Sequence, residues 1–155
     1  MKGFSLLELV IVLLIIGVLA AIAYPSMLDF VEEARAKEVL GILDNAIDAQ
    51  STYYVEKGYF ANTWAALDVG SNESESHRFS SETLNNNQYA LLRAAPKVPD
   101  VKGYLAGIET IKKHGSIGFE SSICRAKKPG LKSFEKEAVE FKKRRVKCER
   151  SKKVG

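Results

Sequence analysis

The chain has 155 residues, 46% of them hydrophobic and 27% charged, and 23 Lys and Arg against 19 Asp and Glu give a formal net charge of +4. Such a length and composition correspond to one domain with appendages, and they exclude both a wholly disordered chain and a multi-span membrane protein. Eleven Gly and four Pro exclude a collagen-like fibre, two Cys exclude a disulfide-dense scaffold, and no repeat recurs at solenoid periods.

The first element is apolar. From Phe4 to Ala23 the sequence reads FSLLELVIVLLIIGVLAAIA, twenty residues whose only charge is Glu8. At about 1.5 Å per residue such a helix is roughly 30 Å long, which matches the hydrocarbon core of a bilayer. Lys2 precedes the run, whereas Asp29, Glu32 and Glu33 follow it. This bias places the N-terminus in the cytoplasm and the remainder outside. A cleaved secretory signal would have an apolar region of about 7–15 residues ending at small residues. Ala20-Ala21-Ile22-Ala23 offers such an end, but the run is too long and Glu8 lies inside it. A plain single-span anchor leaves Glu8 unexplained, because a carboxylate inside a spanning helix costs about 2.5–3.5 kcal/mol on insertion scales. Glu8 is then either an incidental group that snorkels to the interface or one with a functional partner.

Gly3-Phe4-Ser5-Leu6-Leu7-Glu8-Leu9-Val10-Ile11-Val12, with Gly17, Ala20-Ala21-Ile22-Ala23 and Pro25 downstream, resembles the N-terminus of type IV pilins and related pseudopilins. The shared features are a short basic leader ending in Gly, an aromatic residue, a Glu five positions into the apolar run and a later Pro. The resemblance covers residues 1 to 55. It implies that a prepilin peptidase cuts between Gly3 and Phe4 and methylates the new amino terminus of Phe4. It further implies that Glu8 pairs with the Phe4 amine of a neighbouring subunit during filament growth. A buried charge left alone is expensive, so such a pair would fix register between subunits. The implied partners are other pilin subunits, the peptidase, the inner-membrane pilus assembly machinery and the membrane that holds the precursor.

Gly17 and Pro25 both weaken a helix, by about 1 kcal/mol for Gly relative to Ala and through a lost backbone hydrogen bond for Pro. Membrane helices tolerate both residues. The resemblance adds an alternative, in which the interval from Gly17 to Pro25 loses helical hydrogen bonds when the subunit leaves the bilayer for a fibre.

Beyond Pro25 the pattern becomes amphipathic. Leu28, Val31, Val39, Leu43, Ala46, Ile47 and Tyr54 recur at helical intervals among acidic and basic residues, which predicts one helix from about Ser5 to Val55 with its later stripe on a globular head. At about 1.5 Å per residue this is a rod of roughly 75 Å. Lys57-Gly58 reads as its C-terminal cap. The Gly70 to Ser76 stretch, small, polar and acidic, reads as a solvated connection, and Asn72-Glu73-Ser74 is a chance-frequency match to a glycosylation acceptor. Strands are expected at 88–94, 102–109 and 116–124, with breaks at Pro96 and Pro99 and a turn at Lys112-Lys113-His114-Gly115. Hairpins or a meander packed on the helix give an antiparallel α+β head. Gly103-Tyr104-Leu105-Ala106-Gly107, Ile123-Cys124 and Lys128-Pro129-Gly130 resemble the sheet region of the type IV pilin-like G/H group, which suggests a pilin rather than a secretion pseudopilin.

The second asymmetry is electrostatic. Residues 125–155 hold thirteen Lys or Arg and four Glu, about +9, and the rest of the chain about −5. The density peaks at Lys142, Lys143, Arg144, Arg145 and Lys147. Leu131, Phe134, Ala138, Phe141 and Val146 are spaced to seat a short helix on the head. A solvated tail, a site for DNA or an anionic polysaccharide, and contact with an acidic face of another subunit are the open readings. In an exported protein Cys124 and Cys148 would be oxidised, and the pilin resemblance implies that they bridge to each other, closing a loop worth about 3 kcal/mol in the chain-entropy model. His77 and His114 lack metal-ligand spacing and read as surface loop residues. No phosphate-cradling loop, nucleophile and base pair or metal motif is present. No cofactor and no enzymatic activity are expected. The segments are therefore a leader (1–3), an apolar assembly helix (4–24), its amphipathic continuation (25–57), a head (58–124) and a basic segment (125–155).

Overall fold

The computed structural model describes residues 5–84, 88–113, 116–135 and 138, with the backbone alone at Pro25, Ser26, Leu28, Asp29 and Lys113. Gly3, Phe4, His114, Phe141, Lys142, Lys143, Arg144, Arg145, Val146, Lys147 and Cys148 lie outside these residues. The chain divides into two compact units, Met1–Ala36 and Lys37–Gly155. A helix, α1, spans Leu6–Lys57, followed by a short 3-10 turn at Trp64–Leu67. The strands β1 (His77–Leu84), β2 (Tyr89–Pro96), β3 (Tyr104–Lys113) and β4 (Ser116–Arg125) come next. They form an antiparallel meander in the order β1-β2-β3-β4, so the fold is α+β.

In the first unit every described side chain from 5 to 34 is exposed. The buried stripe of α1 begins only at Val39 and continues through Leu43, Ala46, Ile47 and Gln50, one helical face. Val31, assigned to the same stripe by spacing, is instead exposed. Gly58 ends the helix with a positive φ of 78° and donates its N–H to the Tyr54 carbonyl at 2.8 Å, a left-handed C-terminal residue that glycine adopts without strain.

Side chains alternate across a sheet, and the register sorts them. Ser81, Leu92, Ala106 and Ile123 stand in one row. That row faces α1, because Gln50 bonds Ser81 and Tyr54 meets Phe119 edge to face at 5.6 Å. Arg93, Leu105 and Cys124 form a row on the opposite face. There Tyr89, Leu91, Leu105, Cys124 and Ala126 are buried together with Phe134 and Ala138 from the C-terminal segment. The sheet is thus covered on both faces, which is why β2 is an almost unbroken apolar run.

Two expectations are corrected. Residues 77–84 form a strand, and His77 is not a surface loop residue: it is buried, with Nε2 at 2.9 Å from the Lys102 carbonyl and Nδ1 at 2.8 Å from Ser76 Oγ. A carbonyl only accepts, so Nε2 carries the proton and Nδ1 accepts from the serine. The connection before β1 is also less solvated than its composition suggests. Ser76 is buried, and Ser74 and Phe79 donate backbone N–H groups to the His77 and Asn72 carbonyls.

Gln50 is the other buried polar group. Its Nε2 donates to the Ala61 carbonyl and Ser81 Oγ, and its Oε1 accepts the Ala61 N–H, each at 2.9 Å. One side chain thereby ties α1, the segment after it and β1 together. Replacing Gln50 by Leu leaves the buried Ala61 N–H without its acceptor, an expected loss of about 2 kcal/mol, to be measured by denaturant unfolding of the full chain in detergent. Burial holds the His77 pKa below its ordinary value, against weaker raising effects of the Lys102 carbonyl and Glu38. Its contribution is complete above the unfolded pKa of about 6.5 and is lost as pH falls through the lower folded pKa. The melting temperature is expected to fall between pH 7 and pH 5, and His77→Gln to remove that slope. Glu73, held low first by Arg78 and then by Lys97, keeps its contribution throughout that range and loses it only as pH falls below the ordinary carboxylate value.

Candidate functional site

The N-terminal part of α1 is built from Leu, which is not branched at Cβ, and from the stiffer β-branched Ile and Val, which form a helix in an apolar setting where no other backbone partners exist. Its first turn among the described residues closes with Leu9 N–H donating to the Ser5 carbonyl at 3.2 Å. Leu6–Tyr24 is a 19-residue stretch of mean hydropathy 3.0 with none of its residues buried, long and apolar enough to cross a membrane. Leu6 is 80% exposed and Leu13 60%. Glu8 lies in the first turn, where the helix dipole favours a carboxylate by about 0.3–1 kcal/mol. That is less than the cost of holding it in hydrocarbon. Among the described residues Glu8 has no ion pair or hydrogen bond. What neutralises it must therefore come from the amino-terminal residues or from another molecule.

Gly17 and Pro25 stand on the same helix, which is continuous through both. A Cβ added at Gly17 would meet nothing within 4 Å, so nothing among the described residues requires a glycine there. Pro25 has no N–H, which leaves the Ala21 carbonyl without its helical donor. Glu8, Gly17 and Pro25 thus share one element. No group of His, Cys, Asp and Glu suited to a metal occurs among the described residues.

The base of the basic segment is fastened to the sheet. Residues 131–135 are helical, and Gly130 and Phe134 donate backbone N–H groups to the Val101 and Gly130 carbonyls. The Phe134 ring lies over Gly103, where a Cβ would come within 2.2 Å of it. Glycine is required there by close approach. Arg93 Nη2 bonds both Glu135 carboxylate oxygens at 2.6 and 2.7 Å, and its guanidinium lies 5.6 Å from the Phe134 ring centroid. Cys124, also on this face, is disulfide-bonded. The sequence carried one hint of this arrangement, a lone arginine within the apolar strand YALLRAAP. Phe134 and Ala138 are buried as their spacing predicted, whereas Leu131 is half exposed.

Two family models match the chain, one described as type IV pilin-like G and H over residues 33–149 and the prokaryotic N-terminal methylation motif over residues 1–24. The fimbrial protein EcpC of Eikenella corrodens is 30% identical over 125 residues, 78% of this chain and 82% of that protein. A fimbrial protein of Neisseria meningitidis serogroup B is 29% identical over 75% of this chain and 69% of its own length. The type IV wide pilus major component PilA4 of Thermus thermophilus is 31% identical over 59% of this chain and 71% of its own.

Because the space around Gly17 is empty, Gly17→Ala is expected to raise the helical stability of the monomer in detergent by about 1 kcal/mol, read by circular dichroism during thermal melting. A lower melting temperature would show that the chain itself needs this glycine.

Proposed function

The chain belongs to the type IV pilin-like G and H family and carries the prokaryotic N-terminal methylation motif, and on that premise we propose how it becomes a filament subunit. Prepilin peptidase cleaves between Gly3 and Phe4 and methylates the Phe4 amine. The precursor is held in the inner membrane by residues 4–24, with its N-terminus in the cytoplasm. The assembly machinery then transfers the helix from lipid into an extracellular filament, where the Phe4 amine of one subunit meets Glu8 of the next. Family members are structural pilins, and this subunit is likewise structural.

The observation that carries this reading is the exposed apolar stretch with a carboxylate one turn from its start that has no partner among the described residues. Lipid and neighbouring helices cover apolar surface equally well, so burial alone does not specify an axial position. A charge pair does. Displacement by one step would leave both charges uncompensated in a dry interface, and breaking a buried pair costs about 3–5 kcal/mol. Gly17 lets a neighbouring helix approach closely, and Pro25 marks where the helix loosens on leaving the bilayer.

A second reading assigns DNA or anionic polysaccharide binding to the basic segment, with Lys142, Lys143, Arg144, Arg145 and Lys147 at its densest point. It rests on the charge of about +9 over residues 125–155 and would give the subunit a role in adhesion or DNA uptake as well as structure.

Filaments sheared from cells and analysed by mass spectrometry should contain a chain beginning at N-methylated Phe4. Unprocessed Met1 in assembled material would overturn the processing step. Glu8→Ala should insert in the membrane but lower filament yield by about two orders of magnitude or more, following the cost of an uncompensated charge. A normal yield would remove the register role. Retention of duplex DNA by the same filaments, with steep loss as salt rises, would establish the second reading.

A further inference from the structure

The two edges of the sheet differ in what covers them. On β1 the odd-numbered residues turn their backbone groups away from β2. His77 donates its N–H to Ser74 Oγ at 3.2 Å and accepts the Ser74 N–H at 2.8 Å, and Phe79 donates to the Asn72 carbonyl at 2.7 Å. Thr83 donates its N–H to Asn62 Oδ1 at 3.1 Å. Asn62, Asn72 and Ser74 therefore occupy this edge, and another strand could pair with it only by displacing them.

β4 is the opposite edge. The Ala126 N–H bonds the Gly103 carbonyl at 2.9 Å, in line with the β3–β4 register, so the even residues of β4 turn their backbone groups toward β3 and the odd ones turn theirs outward. Of the odd residues, Ile123 is buried and already has a partner. Ile117, Phe119 and Ser121 have no hydrogen bond on the outer side among the described residues. The stretch 116–121 reads SIGFES, without the Lys, Arg or Pro that ordinarily guards an edge against strand addition. Ile117 is 60% exposed. Phe119 meets Tyr54 and Phe60 on the α1 side at 5.6 and 6.2 Å, yet is only half-buried.

We infer that residues 116–121 of β4 pair with the same residues of a second copy of the chain, antiparallel and centred on Phe119. With β1 capped, β4 is the edge that each copy has to offer. A two-fold axis normal to the sheet keeps the α1-covered faces on one side, whereas a parallel pair would turn one copy over and set Phe119 against the other face. In the antiparallel register Phe119 lies opposite Phe119, Ile117 opposite Ser121 and Glu120 opposite Gly118, and each facing odd pair exchanges both of its N–H···O bonds. Centring on Glu120 would oppose two carboxylates, which is unfavourable. Centring on Gly118 would carry Ser121 past the end of its partner strand. The contact uses the same patch on both copies and closes at two. It is therefore distinct from the head-to-tail repeat of a filament and does not depend on the pairing of Glu8.

The test uses the full chain in detergent with a benzophenone amino acid at position 120. Irradiation at rising protein concentration should give covalent dimers whose cross-linked peptide includes residues 116–121 of the second copy. Dimers joined only through other segments, products larger than the dimer joined through this stretch, or no dimer at all would overturn the inference. Ile117→Pro and Ser121→Pro each remove one outward N–H and spare the bonds to β3, so each should reduce the yield of that cross-link several-fold. Ile117→Ala keeps the N–H and should leave most of the yield. Unchanged yield in both proline variants, or an equal loss in Ile117→Ala and Ile117→Pro, would overturn pairing through the backbone. The melting temperature of each variant, read alongside, separates loss of the contact from loss of the head's fold.

Discussion

Everything in this molecule depends on a carboxylate set in an apolar helix that its own chain does not cover. The nineteen residues from Leu6 to Tyr24 are exposed throughout, and each buried Leu, Ile or Val contributes about 1.5–3 kcal/mol relative to water. Such a surface persists only in lipid or against similar surfaces. Hydrophobic burial is non-directional and cannot distinguish one axial register from the next. The apolar residues decide that the helix must be covered, and in the filament proposed above the charge on Glu8 would supply the missing direction.

The head solves a different problem, that of holding a small sheet without exposing either face. The stripe that begins at Val39 covers one face and the segment containing Phe134 and Ala138 covers the other. Each cover is fixed by a polar device as well as by packing. Gln50 joins α1 to the Ala61 segment and Ser81. Arg93 reaches across to Glu135 beside the Phe134 ring. Apolar contact alone would allow either cover to slide, whereas hydrogen bonds to particular groups set its position.

Local signals made part of this legible in the sequence. A run of twenty residues with one charge specifies its own helix, and Gly58 after the last periodic position specifies where that helix stops. Strands β2, β3 and β4 each carry a run or an alternation of apolar residues and lie within a few residues of their expected limits. β1 has Phe79 as its one large buried apolar residue, and its polar character concealed it. His77 and Gln50 were illegible for a related reason. Their roles depend on the Lys102 and Ala61 carbonyls, which sequence separation hides and only the folded register brings near. Gly103 likewise needs to be a glycine because of Phe134, thirty-one positions away.

The charge asymmetry then acquires a physical consequence. At physiological ionic strength, exposed charges interact over about 8 Å, so the basic segment acts only on groups brought close to it. Its base is fastened to the sheet face opposite the α1 stripe, by Phe134 and by the pair formed with Arg93. Within the head, Phe134, Glu135 and Ala138 are thus separated from the buried stripe of α1 by the thickness of the sheet. The cover supplied by α1 and the cover supplied by Phe134 and Ala138 occupy different faces, so a change at one face need not displace the packing at the other. A fold arranged in this way can retain a helix suited to assembly while the chemistry of its opposite face varies independently.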